Sequence, residues 1–413
     1  MSLPYQTNPL LRLGSPTQIA AWWIVWAVLG LPALLWFRWR PGGGPSAAPR
    51  RGPFLLLANH TAVYDPVWVA WWTFRRVSYM SLETLFHHWF LGVFLPLVGC
   101  FPKAYAVKDR ASMAQLAERY EAGEGVVIFP EGGRSWDGRP GEVLPGIGRL
   151  IKRLGTDRAE PVVVLARVET GHLFHPRWAR YPRWVPVRIR YARLPRMPDA
   201  SPEAITEAVR RHIAIDPDVD APGLSFGWRM AHGLPDYLWA CPACFAAEGL
   251  SVADDDGDSV RCRACERRWR LDTSNRMNGE PTLRVTEAYD RVIAHFGEAP
   301  TVDPERFARD GVLLECERAS VKTVGASAAS ERVASGRLTL TPEGITVSPD
   351  AAGERAWRAP FSEISVVAVA FGGLLTVRVG GVIYGMDLKG GNALMWDHIV
   401  SRWLQAARRE VAL

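Results

Sequence analysis

Residues 54–66 read FLLLANHTAVYDP. The short apolar run Phe54 to Ala58 is expected to be a buried strand. Asp65 before Pro66 is a helix start, with Asp as N-cap and Pro at the first helical position. The apolar residues Val67, Trp68, Val69, Trp71 and Trp72 follow. His60 therefore sits at a strand's end and Asp65 at a helix entry. At such a junction an imidazole and a carboxylate can face each other in a cleft. Taken singly, Asp65 would only cap a helix and His60 would be a structural histidine. The combination is what points to chemistry.

A second junction lies downstream. Gly125 to Phe129 (GVVIF) reads as another buried strand, running into Pro130-Glu131-Gly132-Gly133-Arg134-Ser135. Glycines let a backbone approach a ligand and free its N–H groups for an anion. Arg134 adds a planar fork suited to phosphate. The plainer reading of this block is a strand-to-turn corner with an exposed arginine.

These two blocks carry a resemblance. NHTAVYD (59–65) is similar to the NH-x4-D motif of the glycerolipid acyltransferases, the superfamily of 1-acylglycerol-3-phosphate acyltransferases. FPEGGRS (129–135) resembles that family's FPEGxRS block, at the family's separation of about 70 residues. The stretch Phe90 to Lys103 occupies the place of the family's middle block, with Lys103 where arginine is usual. Glu160 to Ala166 (EPVVVLA) keeps one proline of the fourth block and lacks the second. The resemblance covers residues 20–215. It implies an α/β acyltransferase domain, a mixed sheet with flanking helices. It implies a thioester donor, acyl-CoA or acyl carrier protein, and a lysophospholipid acceptor, by default 1-acylglycerol-3-phosphate. His60 would be the base and Asp65 its orienting carboxylate. Arg134 and Lys103 would clamp the phosphate, and Glu131, Gly132, Gly133 and Ser135 would shape and line the acceptor loop. Gly223-Leu-Ser-Phe-Gly227 matches a nucleophile motif that needs a preceding strand, but its approach is loop-like and the match is read as chance.

Upstream, Ile19 to Phe37 (IAAWWIVWAVLGLPALLWF) carries no charge, and about 19 helical residues span roughly 28 Å. A membrane helix is expected here. Arg38, Arg40, Arg50 and Arg51 follow it, against Arg12 before it, so the rest of the chain is placed on the cytoplasmic side of the membrane. A re-entrant or interfacial helix is the rival reading, through Pro32 and the tryptophans. Arg40 to Pro53, rich in Gly and Pro, reads as a linker.

Downstream, residues 172–197 hold many arginines and no acid, with aromatic rings between them. Arg177, Trp178, Arg180, Arg183 and Trp184 are expected to sit on anionic membrane lipids. Part of the stretch is a strand with one basic face, at Arg188 and Arg190. Cys241-x2-Cys244 and Cys262-x2-Cys265, with 17 residues between, match the signature of a zinc ribbon. Four thiolates close the coordination sphere, so the zinc is structural. A dithiol redox pair is the runner-up, and reduced thiolates agree with the cytoplasm. Arginines beside the ribbon keep nucleic acid and protein partners in view, although nucleic acid is not favoured.

From about residue 310 strands dominate. Leu338–Leu340 and Ile345–Val347 flank a TPEG turn, and an amphipathic helix closes the chain from about Asn392 to Glu410. Strands closed by one C-terminal helix resemble the PH/GRAM-like fold. The expected domains are 1–52 (membrane helix and linker), 53–215 (acyltransferase), 236–272 (ribbon), 284–297 (connecting helix) and 310–413 (β-rich PH-like domain).

The composition of the 413 residues agrees with this division. With 48% hydrophobic and 22% charged residues, the chain is neither disordered nor fibrous. Six cysteines exclude a disulfide scaffold. A net charge of +6 fits an anionic surface or substrate, and 18 tryptophans fit a membrane interface. Rival functions are a different lysolipid or amino-linked acceptor, or a catalytically idle lipid-binding scaffold.

Overall fold

The computed structural model describes residues 15–36, 40–41, 47–103, 110–155, 160–253, 255–298, 300–324, 331–350, 356–369 and 373–412. The chain divides into two compact units, 1–230 with 271–276, and 231–270 with 277–413.

The first unit is built on a seven-stranded sheet. Its strands are β1 (Arg40–Pro41), β2 (Phe54–Ala58), β3 (Val77–Leu82), β4 (Cys100–Lys103), β5 (Gly125–Ile128), β6 (Val163–Val168) and β7 (Arg188–Arg193), in the order β1-β7-β6-β2-β5-β3-β4. Strands β6, β2, β5, β3 and β4 run parallel, and β7 is antiparallel to β6. Strand β2 is central and every residue in it is buried. Phe54, Leu56 and Ala58 pack on one face with Trp68 and Trp71 of α2 (Asp65–Trp71). Leu55 and Leu57 pack on the other with Leu116, Leu150 and Val209, from α4 (Arg110–Glu121), α5 (Gly146–Leu154) and α7 (Pro202–Ile213). A short helix, α6 (Gly171–Phe174), follows β6. A parallel strand covered on both faces is a continuous apolar run, which is why FLLLA lacks alternation.

The expected membrane helix is corrected. Helix α1 (Pro16–Trp36) forms, but no helix among the described residues is long and apolar enough to cross a membrane. One side of α1 is spent on protein. Trp22 is buried in the core of the first unit, and Trp26 stacks on Trp71 at 4.7 Å. Trp26 Nε1 donates to the Trp71 carbonyl and Trp71 Nε1 donates to the Trp26 carbonyl. Gln18 Nε2 donates to the carbonyl of Pro96, in α3 (Leu91–Leu97). Ile24 and Val28 stay exposed on the opposite side. Arg12 and Arg38, which oriented the expected span, lie outside the described residues. The described ends of the linker, residues 40–41 and 47–53, also make contacts that its composition does not predict. Arg40 and Pro41 pair with β7, and Arg75 donates to the carbonyls of Pro49 and Gly52.

In the second unit, β8 (Leu250–Val252), β9 (Ser259–Cys262) and β10 (Arg268–Leu271) form an antiparallel meander between and after the cysteine pairs. Two short strands, β11 (Arg276–Asn278) and β12 (Leu283–Arg284), extend it in the order β12-β11-β10-β9-β8. Helices α8 (Leu234–Tyr237), α9 (Val285–Phe296) and α10 (Pro304–Asp310) precede a seven-stranded antiparallel sheet. Its strands are β13 (Leu314–Thr323), β14 (Arg332–Thr341), β15 (Gly344–Pro349), β16 (Trp357–Pro360), β17 (Ile364–Val369), β18 (Leu375–Val379) and β19 (Val382–Leu388), in the order β16-β15-β14-β13-β19-β18-β17. Trp396, Ile399, Val400 and Leu404 of α11 (Ala393–Ala412) fill the core beside Leu338, Val347 and Val377. Trp239 and Val292 join the same core, so α9 and the segment leading into the ribbon pack with the sheet.

Candidate active site

Three parallel neighbours, β6, β2 and β5, deliver their following loops to one edge of the sheet. Ligands in open α/β sheets bind at the carboxyl ends of the strands. Asn59 extends the join past the end of β2. Its Nδ2 donates to the Val168 carbonyl and its Oδ1 accepts from Val168 N–H, at 3.0 and 2.7 Å.

The next residue is His60. Its Nδ1 lies 2.9 Å from Asp65 Oδ2. The same carboxylate oxygen accepts from the N–H groups of Thr61 (2.5 Å) and Ala62 (2.8 Å). The expected N-cap is therefore corrected. Tyr64 is the cap residue, and Asp65 turns back to close the 60–65 loop rather than forward onto its helix. Asp65 is fully buried, whereas His60 keeps 19% of its side-chain surface. Because a carboxylate only accepts, Nδ1 carries the hydrogen and Nε2 presents a lone pair. Nε2 has no hydrogen-bond partner among the described residues. The ring is held flat by Phe129, stacked at 4.2 Å and 25°.

Phe129 leads into the corner after β5. Ser135 N–H donates to the His60 carbonyl at 2.8 Å, tying the two loops together. Ser135 Oγ accepts from Gly138 N–H, closing a turn. Gly132 takes φ +73°, a conformation that L side chains rarely adopt. Gly132 and Gly133 are exposed. Glu131 lies inward, where burial raises its carboxyl to about 7, although the N–H groups of Gly141 and His60 donate to it. Burial lowers the Arg134 guanidinium, and Asp65 opposes that shift, which places Arg134 in the field of the buried carboxylate.

The loop after β6 completes the site, and the motifs gave no sign of it. Gly171 lies against the 60–65 loop. A Cβ there would collide with Thr61 Oγ1 and come within 3.3 Å of Asp65 Oδ1. His175 follows, its Nε2 3.1 Å from the Ala179 carbonyl. It is lowered to about 4, first by burial and then by Arg134. A neutral His175 with Nε2–H donating leaves a lone pair on Nδ1, which is buried without a partner. The sequence signal was weak, because residues 171–175 carry no spacing that refers to residue 60.

Other expected residues separate. Lys103 ends edge strand β4, three strands from β2, or roughly 14 Å at the usual spacing. No hydrogen bond or ion pair joins it to His60, Asp65 or Arg134 among the described residues. Two of the membrane-surface residues are corrected. Arg183 is 2% exposed and its Nη1 donates to Asn275 Oδ1, while its guanidinium lies over the ring of buried Trp178. A headgroup cannot reach either. Arg177 donates to the Arg134 carbonyl and covers Trp136 at 4.0 Å. Arg180 is exposed and Trp184 half-buried. Ser225 lies in a loop and bonds back to the Pro222 carbonyl, without the strand a nucleophile elbow requires.

Residues 43–165, which hold His60, Asp65 and the 129–135 corner, match the family model described as Acyltransferase. This segment is an acyltransferase domain. Among solved structures, the chain is similar to the 1-acyl-sn-glycerophosphate (LPA) acyltransferase PlsC from Thermotoga maritima, at 16% identity and a TM-score of 0.36. That match covers 46% of this chain and 77% of that one. No curated protein matches. The acyltransferase domain contributes His60, Asp65 and Arg134 from within the matched residues, whereas Gly171 and His175 lie beyond them.

A separate cluster lies in the second unit. The ligand atoms of Cys241, Cys244, Cys262 and Cys265 all fall within 4.8 Å of one another. Sγ–Sγ separations of 3.8 Å (Cys241–Cys265) and 3.7 Å (Cys244–Cys262) equal the edge of a tetrahedron with metal–sulfur bonds near ~2.3 Å. None of the four is in a disulfide.

Proposed function

We propose that this acyltransferase moves an acyl chain from a thioester, acyl-CoA or acyl carrier protein, to the hydroxyl of a lysophospholipid, with 1-acylglycerol-3-phosphate as the acceptor. One observation carries the reading. The His60–Asp65 pair directs an unpartnered Nε2 lone pair to the sheet edge where Arg134 also lies.

In this scheme Nε2 takes the acceptor's hydroxyl proton as the oxygen attacks the thioester carbonyl. Asp65 holds the imidazolium, as a triad carboxylate does. The tetrahedral intermediate collapses, the carbon–sulfur bond breaks, and Nε2 returns the proton to the departing sulfur. No acyl-enzyme is needed, because the acceptor hydroxyl takes the place of a serine. Arg134 faces the acceptor's phosphate, Gly132 and Gly133 let the loop approach it, and Glu131 and Ser135 hold the loop. Lys103 is assigned to the outer end of the headgroup, since a direct clamp with Arg134 would need to bridge several strands.

The four cysteines are proposed to hold a structural zinc, their separations and closed set of thiolates being the support. The order β16-β15-β14-β13-β19-β18-β17 with one closing helix supports a PH/GRAM-like reading of the C-terminal sheet. Association with a membrane surface follows from the lipid acceptor. Reduced cysteines favour its cytoplasmic side.

The test is to incubate the purified chain with mixed lysolipids and acyl thioesters and to identify products by mass spectrometry. A diacyl product formed by the wild type and abolished in a folded His60→Ala variant is expected. Full activity in His60→Ala, or no acylated product from any acceptor, overturns the proposal.

A further inference from the structure

The segments 176–184 (PRWARYPRW) and 222–229 (PGLSFGWR) lie far apart in sequence but meet as a short antiparallel bridge. Trp184 N–H donates to the Phe226 carbonyl at 2.8 Å, and Phe226 N–H returns the bond at 3.3 Å. Their rings stack at 4.6 Å. Tyr181 and Trp228 approach to 5.1 Å beside them. Although it is joined in this way, the outer surface is wet. Leu224 is 73% exposed, Trp228 62% and Phe226 56%. Scattered exposed apolar residues need no explanation, but three on one short loop, backed by two further aromatic rings, form a patch.

Within the two segments the charge has one sign, and Asp220, the nearest acid in sequence before loop 222–229, is paired with Arg276. Neither segment contains an acid, and together they contribute Arg177, Arg180, Arg183 and Arg229. Arg183 is buried, so the patch is rimmed by Arg180, which is exposed, and by Arg177 and Arg229, which are half-buried. The 176–184 segment that braces the patch also reaches the catalytic corner, because Arg177 donates to the Arg134 carbonyl. Apolar and indole side chains inside an arginine rim match the two layers of an anionic bilayer surface, acyl chains within and phosphates without. An acidic protein would meet the arginines but would leave no counterpart for an exposed leucine and two rings.

We infer that loop 222–228, braced on Trp184, docks the first unit onto an anionic lipid bilayer and brings the Arg134 corner to the acceptor's headgroup layer. The inference rests on the acceptor being a lipid. It replaces the buried Trp178 and Arg183 with Leu224, Phe226 and Trp228 as the residues that enter the membrane.

The experiment uses the full chain and co-sedimentation with vesicles of phosphatidylcholine, alone or with phosphatidylglycerol. Two variants are compared with wild type, L224S/F226S/W228S and Arg180→Glu, each checked by circular dichroism. These side chains are exposed, so both variants should fold. Wild type should bind the anionic vesicles more tightly. The triple variant should lose about tenfold or more of that binding, and Arg180→Glu should lose the preference for anionic vesicles. Turnover of a short-chain, monomeric lysolipid should stay unchanged in both variants, while turnover of vesicle-embedded acceptor falls. Undiminished vesicle binding in the triple variant overturns the inference. So does an equal loss on monomeric and embedded acceptors, which would put the loop in the site itself, and so does binding to an acidic carrier protein lost in place of vesicle binding. If wild type acylates nothing but the triple variant still loses vesicle binding, the docking surface stands and the assigned reaction fails.

Discussion

At the scale of single residues, Asp65 illustrates how one side chain is over-determined. Its Oδ2 gathers His60 Nδ1–H and two backbone N–H groups, so the carboxylate both closes the loop and selects the imidazole tautomer. An asparagine could set its amide oxygen on the same three donors, since Oδ1 takes none of them, but it would carry no negative charge to stabilise the imidazolium that forms when Nε2 takes a proton. Asp65→Asn should lower kcat by about a hundredfold or more with KM little changed, measured with a thioester and a monomeric acceptor. A change in KM alone would show that the pair is not in the reacting path. Glu131 gives a pH signature. Burial raises it to about 7 from its ordinary 4.5, so the folded state binds a proton that the unfolded chain has released. Its contribution to stability is full below about 4.5 and is lost as pH rises through about 7. Glu131→Gln removes this dependence. The melting temperature of the variant should gain on wild type between about pH 5 and pH 8, by the equivalent of about 2 kcal/mol. A constant gap across that range would show that Glu131 is ionised throughout.

At the scale of elements, the site is a meeting of three strand ends. Gly171 opens the short helix α6 against the 60–65 loop. A methyl group at 171 must displace Thr61, a β-branched side chain with little freedom to turn. Gly171→Ala should cost about 1–3 kcal/mol of stability by overpacking. It should also lower kcat/KM at least tenfold, because Thr61 moves the Asp65 oxygen that orients His60. Thermal melts and initial rates check this together, and wild-type rates in the variant would show that the loop tolerates the shift. The element scale also explains what periodicity missed. Strand β13 reads LECERASVKT, and its register slips between Cys316 and Ala319. A bulge breaks the alternation that reveals a strand, whereas β14 and β15 pair Leu340 with Ile345 across the legible TPEG turn. Similarly, α1 reads as a spanning helix because apolarity alone does not distinguish lipid from a protein surface, and its reciprocal Trp26–Trp71 bonds belong to the packed unit.

At the scale of the molecule, each unit has its own core and its own constraint. In the second unit the proposed zinc ties two turns before the large sheet begins, and Trp239, two residues ahead of Cys241, is fully buried in the core of that unit. One zinc per chain is expected by elemental analysis. Chelation, or Cys262→Ser, should lower the melting transition of this unit by on the order of 10 °C. The acyltransferase unit should melt unchanged, because its core contains none of the four cysteines. A metal-free chain with an unaltered transition would show that the cysteines need no ion.

What the sequence determined by itself is what short spacing can encode. His60 and Asp65 lie five residues apart on one loop, and each cysteine pair lies on one turn, so their local geometry follows from chain connectivity. The buried run at 54–58 marks a central strand because only a strand covered on both faces can be apolar throughout. Tertiary structure decided the rest. It set β6 beside β2, which brought Gly171 and His175 to a site that no motif assigned to them. It also turned Arg183 inward to Asn275, some ninety residues away, while leaving Leu224 in water. Burial of a residue depends on partners that the chain supplies only after it has folded back on itself, and spacing along the sequence carries no record of them.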